Sequence, residues 1–98
     1  MATFNQLVNQ NVPVLVDFKA DWCGPCKMMA PVLKQVKQNF KEQLKIIKID
    51  IDQNPYVAQR FDVKGVPTMI LFKKGEPVWR QSGVIQTNDL TAILNRYL

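Results

Sequence analysis

Apolar and polar positions along the chain switch between two periods, and the switches mark the elements. Phe4, Leu7 and Val8 fall at helical spacing in TFNQLVNQ, which predicts a short first helix. VPVLVDF, from Val12 to Phe18, is nearly continuous apolar sequence, as in a strand buried on both faces. Met29, Val32, Leu33, Val36 and Phe40 then form one helical stripe, while Lys27, Lys34 and Lys41 lie on another face. That pattern predicts an amphipathic helix of about four or five turns. Pro31 lies inside it and, lacking an N–H, predicts a kink.

KIIKIDI (Lys45 to Ile51) reads as a second strand, and Pro55 introduces a short helix over YVAQRF. TMILF (Thr68 to Phe72) is a third strand, and the glycine-bearing KKGE turn leads into PVWRQ, predicting an antiparallel hairpin. A last helix is expected from Thr87 or Asn88, both good caps, burying Leu90, Ile93, Leu94 and Tyr97. The order is α-β-α-β-α-β-β-α. The two β-α-β crossovers predict parallel neighbours, and the hairpin makes the sheet mixed, with helices on both faces.

Ninety-eight residues with 47% apolar content suit a single domain, residues 1–98, with one core. No apolar run reaches the roughly 18 residues of a membrane span. MATFNQLVNQNVPVL lacks the charged segment, apolar core and cleavage site of a signal peptide, so a cytoplasmic location is expected. Thiols are kept reduced there. Thirteen Lys and Arg against eight Asp and Glu leave a net charge of +5. The basic residues (Lys19, Lys34, Lys45, Lys64, Arg80, Arg96) are scattered, without a basic run or interleaved aromatics. This is a solvated positive surface, not a nucleic-acid footprint.

The two cysteines, Cys23 and Cys26, both lie in DWCGPCK. A structural zinc site needs four ligands, and the chain has no histidine, so only a zinc shared between two chains remains as a metal reading. As a staple the pair is weak: closing a ring of about four residues contributes roughly 2 kcal/mol, against nearly 5 for a 100-residue loop. A redox couple uses every residue of the stretch. Cys23 opens the long helix, where free N–H groups and the dipole favour a thiolate. Cys26, one turn on, is placed to resolve a mixed disulfide. Gly24 admits a partner backbone, Pro25 presets φ where its missing N–H costs nothing, and Trp22 flanks the sulfur. Asp17, between Val16 and Phe18 in the most apolar strand, is expected to be poorly solvated, with a raised pKa; the alternative is a partly exposed strand-end carboxylate.

VDFKADWCGPCKMMAP resembles the active-site segment of the thioredoxin family, and VKGVPTMILFKKGE resembles its second signature. VDF, KIDID and SGV match in order and spacing, so the resemblance runs from about residue 4 to 98. It implies a thioredoxin fold whose first strand is apparently missing, leaving four strands. It further implies that Asp17 takes a proton from Cys26 and that Lys48, which interrupts the alternation of KIIKIDI, tunes Asp17. A solvated strand lysine is the alternative for Lys48. Pro67 is implied to be cis, against a general frequency of about 5–6% for X-Pro bonds. Val66 is implied to pair with substrate main chain, and Gly83 to complete a groove with Trp22, Gly24, Pro25, Val66 and Pro67; a turn glycine is the alternative for Gly83. Lys19 departs from the family, many of whose members carry an aromatic residue there.

The implied activity is that of a protein-disulfide reductase working by dithiol/disulfide exchange through Cys23 and Cys26. Its implied partners are disulfide-containing proteins and an NADPH-dependent thioredoxin reductase. The chain is expected to bind no cofactor, metal, nucleic acid or membrane and to act as a monomer. A more oxidising exchanger and a binding module on the same scaffold are the competing readings. The absence of a leader argues against the first, and the full set of site residues against the second.

Overall fold

The computed structural model describes residues 2–98. Its elements are α1 (Phe4–Val8), β1 (Val14–Lys19), α2 (Gly24–Phe40), β2 (Lys45–Asp50), α3 (Pro55–Arg60), β3 (Thr68–Lys73), β4 (Glu76–Ser82) and α4 (Thr87–Asn95). The four strands form one mixed sheet in the order β2-β1-β3-β4. The central pair, β1 and β3, are the two most apolar strands, each buried over its first five residues. The edge strands β2 and β4 carry most of the exposed positions, as expected where only part of each strand is covered.

Period-two alternation divides the core between two faces. Leu15, Met69 and Leu71 pack with Met29, Leu33 and Val36 of α2 and Leu90 and Leu94 of α4. Val14, Val16, Phe18, Ile70 and Phe72 pack on the other side with Val8 of α1 and Ala58 of α3. Each fully buried side chain of this size contributes roughly 1.5–3 kcal/mol, so α2 and α4 are held chiefly by their apolar stripes. α2 continues through Pro31 to Phe40. Lys41, at φ 52°, ends it, and the Lys37 ammonium donates to the carbonyls of Lys41 (2.7 Å) and Leu44 (2.5 Å), closing the turn into β2. Lys74 and Gly75 both have positive φ, the two-residue turn that suits the twist of a β3–β4 hairpin.

Two sequence expectations are corrected. β2 is parallel to β1, but β3 runs antiparallel to β1, so the second crossover does not make a parallel neighbour. Asp50 pairs with Lys19 at one end of β1, and Thr68 pairs with Phe18 at the same end. Residues 51–67 therefore leave and re-enter the sheet at one end. α3, at six residues, spans only about 9 Å, and the rest of the connection is turns and bends with no extended run that could recross the sheet. α4 begins at Thr87 after Gln86, with no side-chain cap, and Thr87 and Asn88 lie inside it; Ile93 and Tyr97 are only half-buried.

Candidate active site

The turn after β1 brings the cysteines to the sheet end at which residues 51–67 also fold back. Cys23 N–H donates to the Ala20 carbonyl (3.2 Å), and Cys23 becomes the N-cap of α2, at φ −90° and ψ 109°. Its Sγ accepts the N–H of Cys26 at 3.1 Å, the role usually filled by a Ser or Asp oxygen. Pro25 occupies the first turn, where no N–H is needed. Cys23 and Cys26 form a disulfide and are 3% and 7% exposed. Beside them Gly24 and Pro25 are exposed, and a Cβ on Gly24 would meet nothing within 4 Å. Trp22 is 68% exposed, its indole N–H donating to Asp52 Oδ2 at 2.8 Å.

The facing wall is the loop before β3. The Val66–Pro67 peptide is cis, and the Val66 carbonyl oxygen lies 3.6 Å from Cys23 Sγ. Three hydrogen bonds hold this loop. Thr68 Oγ1 lies 2.7 Å from the Gly65 carbonyl, to which it donates, and 2.8 Å from Ser82 Oγ. Gly83 N–H donates to the Pro67 carbonyl at 2.8 Å. Gly83 adopts φ 92°, a left-handed conformation that glycine takes without steric cost and other residues rarely take, as a turn glycine does. Behind the loop, the Arg80 guanidinium donates to the carbonyls of Phe61 and Asp62.

Asp17 lies under the disulfide, on the α2 side of β1. A cavity of about 180 Å³ joins it to Cys26, Ala30, Lys48, Lys19 and Asp21. Asp17 is 2% exposed, and its Oδ1 has no hydrogen-bond partner. Burial pushes its carboxyl from 3.8 up to about 6, opposed by the charges of Lys48 and then Lys19. Lys48 is the β2 partner of Asp17 in the register, though its side chain is exposed, and no ion pair joins the two among the described residues. A carboxyl that titrates near neutrality beside Cys26 is suited to exchanging a proton with that sulfur.

The residues singled out in the sequence thus come together around one disulfide: Trp22, Gly24 and Pro25 on one side, Val66, Pro67 and Gly83 on the other, Asp17 and Lys48 beneath. Asp52, Thr68, Ser82 and Arg80 escaped notice. Thr68 carried a usable signal, a polar residue opening an apolar strand directly after a proline. Asp52 carried none, being thirty positions from Trp22. Among the described residues, no three His, Cys, Asp or Glu side chains converge as metal ligands would, and no helix is long and apolar enough to cross a membrane.

The thioredoxin family model matches residues 1–96. The thioredoxin of Pyropia yezoensis is 40% identical over 98 residues, 99% of this chain and 92% of its own. A thioredoxin-like protein of Synechocystis is 50% identical over 78 residues, 80% of this chain and 74% of its own. A bifunctional thioredoxin reductase/thioredoxin of Mycobacterium leprae is 51% identical over 80 residues, 82% of this chain but 18% of that longer protein. With a matching fold, an internal disulfide at a helix start and this family match, the chain belongs to the thioredoxin family of thiol–disulfide oxidoreductases.

Proposed function

We propose that Cys23 is the attacking thiol of a protein-disulfide reductase and Cys26 the resolving one. The observation that carries this is the N-cap position of Cys23, whose sulfur accepts the Cys26 N–H at the positive end of a 17-residue helix. That environment favours a thiolate, an effect for which thioredoxins are a standard example. The Cys23 thiolate attacks one sulfur of the target disulfide, forming a mixed disulfide and releasing the other target sulfur as a thiolate. Cys26 then attacks Cys23 Sγ, the mixed bond breaks, and the second target sulfur leaves. Two electrons pass to the target, and Cys23–Cys26 is left oxidised. Asp17 takes the Cys26 proton as that thiol becomes nucleophilic, and Lys48 tunes it from across the strand pair.

Target main chain lies along Val66 as a short added strand, flanked by Trp22, Gly24, Pro25, Pro67 and Gly83. Recognition of backbone over side chains makes the substrate range broad. An NADPH-dependent thioredoxin reductase returns the two electrons; the fusion of the two activities named for the Mycobacterium leprae relative supports that pairing. The protein thereby works as an electron carrier of the cytoplasm, as a monomer and as a single domain over residues 1–98. The test is reduction of insulin disulfides together with trapping. Cys23→Ser should abolish reduction, and Cys26→Ser should accumulate mixed disulfides. Full activity of the Cys23→Ser variant overturns the assignment.

A further inference from the structure

On the α2 side of the sheet, the ends of β1 and β2 carry four charged side chains as a checkerboard. Asp17 pairs with Lys48 and Lys19 with Asp50 in the parallel register, and alternation puts all four on one face. Lys19 is not free there. Its Nζ lies 3.3 Å from Asp21 Oδ1 and 3.8 Å from Asp50 Oδ2. Asp50 is itself fixed, its Oδ1 accepting the N–H groups of Asp52 (2.9 Å) and Gln53 (3.2 Å). The Lys19 side chain is 31% exposed and that of Asp50 11%, so the pair is screened less than an open surface pair. Lys19 lines the same cavity as Asp17 and Cys26.

We propose that Lys19 is a positioning residue for the thiol–disulfide reaction: anchored by Asp50 and Asp21, its ammonium sets the pH at which Asp17 accepts the Cys26 proton. The inference rests on the reading of Asp17 as proton acceptor. The charged groups facing Asp17 are Lys19 from its own strand, Lys48 and Asp50 from β2, Lys27 from α2 and Asp21 from the intervening turn; β3 offers Met69, which is uncharged. Burial drives the Asp17 carboxyl towards its neutral form, and Lys48 and Lys19 act in the opposite sense. Lys19 and Asp17 lie on one face of β1, with Cα atoms roughly 7 Å apart, and line one cavity, so the ammonium acts through partly buried space that salt screens weakly.

The test is titration of the Asp17 carboxyl carbon by NMR in the oxidised protein, where neither thiol titrates, in Lys19→Arg, Lys19→Gln and Lys19→Glu variants. Charge decides the order: Lys19→Arg stays near the native midpoint, Lys19→Gln rises by roughly half a pH unit and Lys19→Glu rises further. At pH 6 a half-unit rise lowers the ionised fraction of Asp17 about twofold, and the release step of the mixed disulfide should slow with it. Equal midpoints in all three variants, or equal displacements in Lys19→Arg and Lys19→Gln, overturn the proposal. Asp17→Asn separates the two ideas. If release in that variant keeps the native pH profile, Asp17 is not the acceptor and the proposed link from Lys19 to the reaction fails, whereas the order of NMR midpoints still tests the electrostatic tether by itself.

Discussion

Replacing Asp17 by Asn should stabilise the oxidised protein in neutral solution and lose that advantage in acid. The carboxyl is buried with an unpartnered oxygen, and its folded-state value, about 6, lies above the ordinary 3.8. A raised acid binds its proton more tightly when folded. Above pH 6 the buried carboxylate therefore opposes folding, and between about pH 6 and pH 4 protonation relieves that cost. The displacement from 3.8 to about 6 corresponds to ~3 kcal/mol at 1.36 kcal/mol per pH unit. Asn removes the charge at nearly constant volume but brings an amide that must find partners in the same cavity, an offset of roughly 1–3 kcal/mol. That offset does not depend on pH, so the informative quantity is the change with pH. The stability of Asp17→Asn minus that of the native chain should fall by ~3 kcal/mol from about pH 8 to pH 3.5. Guanidinium unfolding of both oxidised proteins across that range measures it, with the intact disulfide keeping thiol titration out of the comparison. A difference that stays flat, or grows as pH falls, refutes the reading of Asp17 as a desolvated carboxyl.

Two further outcomes concern side chains that hold the walls around the disulfide. Thr68→Val keeps the shape of a fully buried side chain but deletes its bonds to the Gly65 carbonyl and Ser82 Oγ. It should cost about 1–2 kcal/mol in denaturant unfolding and lower kcat/KM for insulin reduction; unchanged values for both would show that the loop does not depend on Thr68. Asp52→Ala removes the acceptor that holds the exposed Trp22 indole and should leave stability within about 0.5 kcal/mol. The same variant should raise KM with little change in kcat; a native KM would remove Trp22 orientation from the docking argument.

Much of the site was readable because its chemistry is local. Trp22, Cys23, Gly24, Pro25 and Cys26 sit together at a helix start, so the reading proposed for them could be made from sequence spacing and helix-end physics. Asp17 was readable for the opposite reason, as a carboxylate out of place in an apolar strand. The cis peptide at Pro67 was expected through the family resemblance, since the residues around it look like any X-Pro bond. What escaped was the support: Thr68 with Ser82, Trp22 with Asp52, Arg80 with two carbonyls, Lys19 with Asp50. Each joins residues brought together by strand register or loop return, and no local pattern encodes such pairs.

Hydrophobic periodicity along the chain was enough to set the elements and their order, and a cysteine pair at the head of an amphipathic helix, in a chain without histidine, favoured a redox couple over a metal site or a staple. Local spacing and side-chain chemistry decide those features before any long-range contact forms. The direction of β3 is different. It depends on where residues 51–67 return, and the chain's apolar pattern is compatible with either direction. Tertiary structure alone placed the cis-proline loop against Cys23 and set two lysines, Lys19 tethered and Lys48 exposed, beside a buried carboxylate. The physical reason is that register, once the apolar faces are buried, determines which charges share a low-dielectric space, and a sequence read one residue at a time carries no measure of that distance.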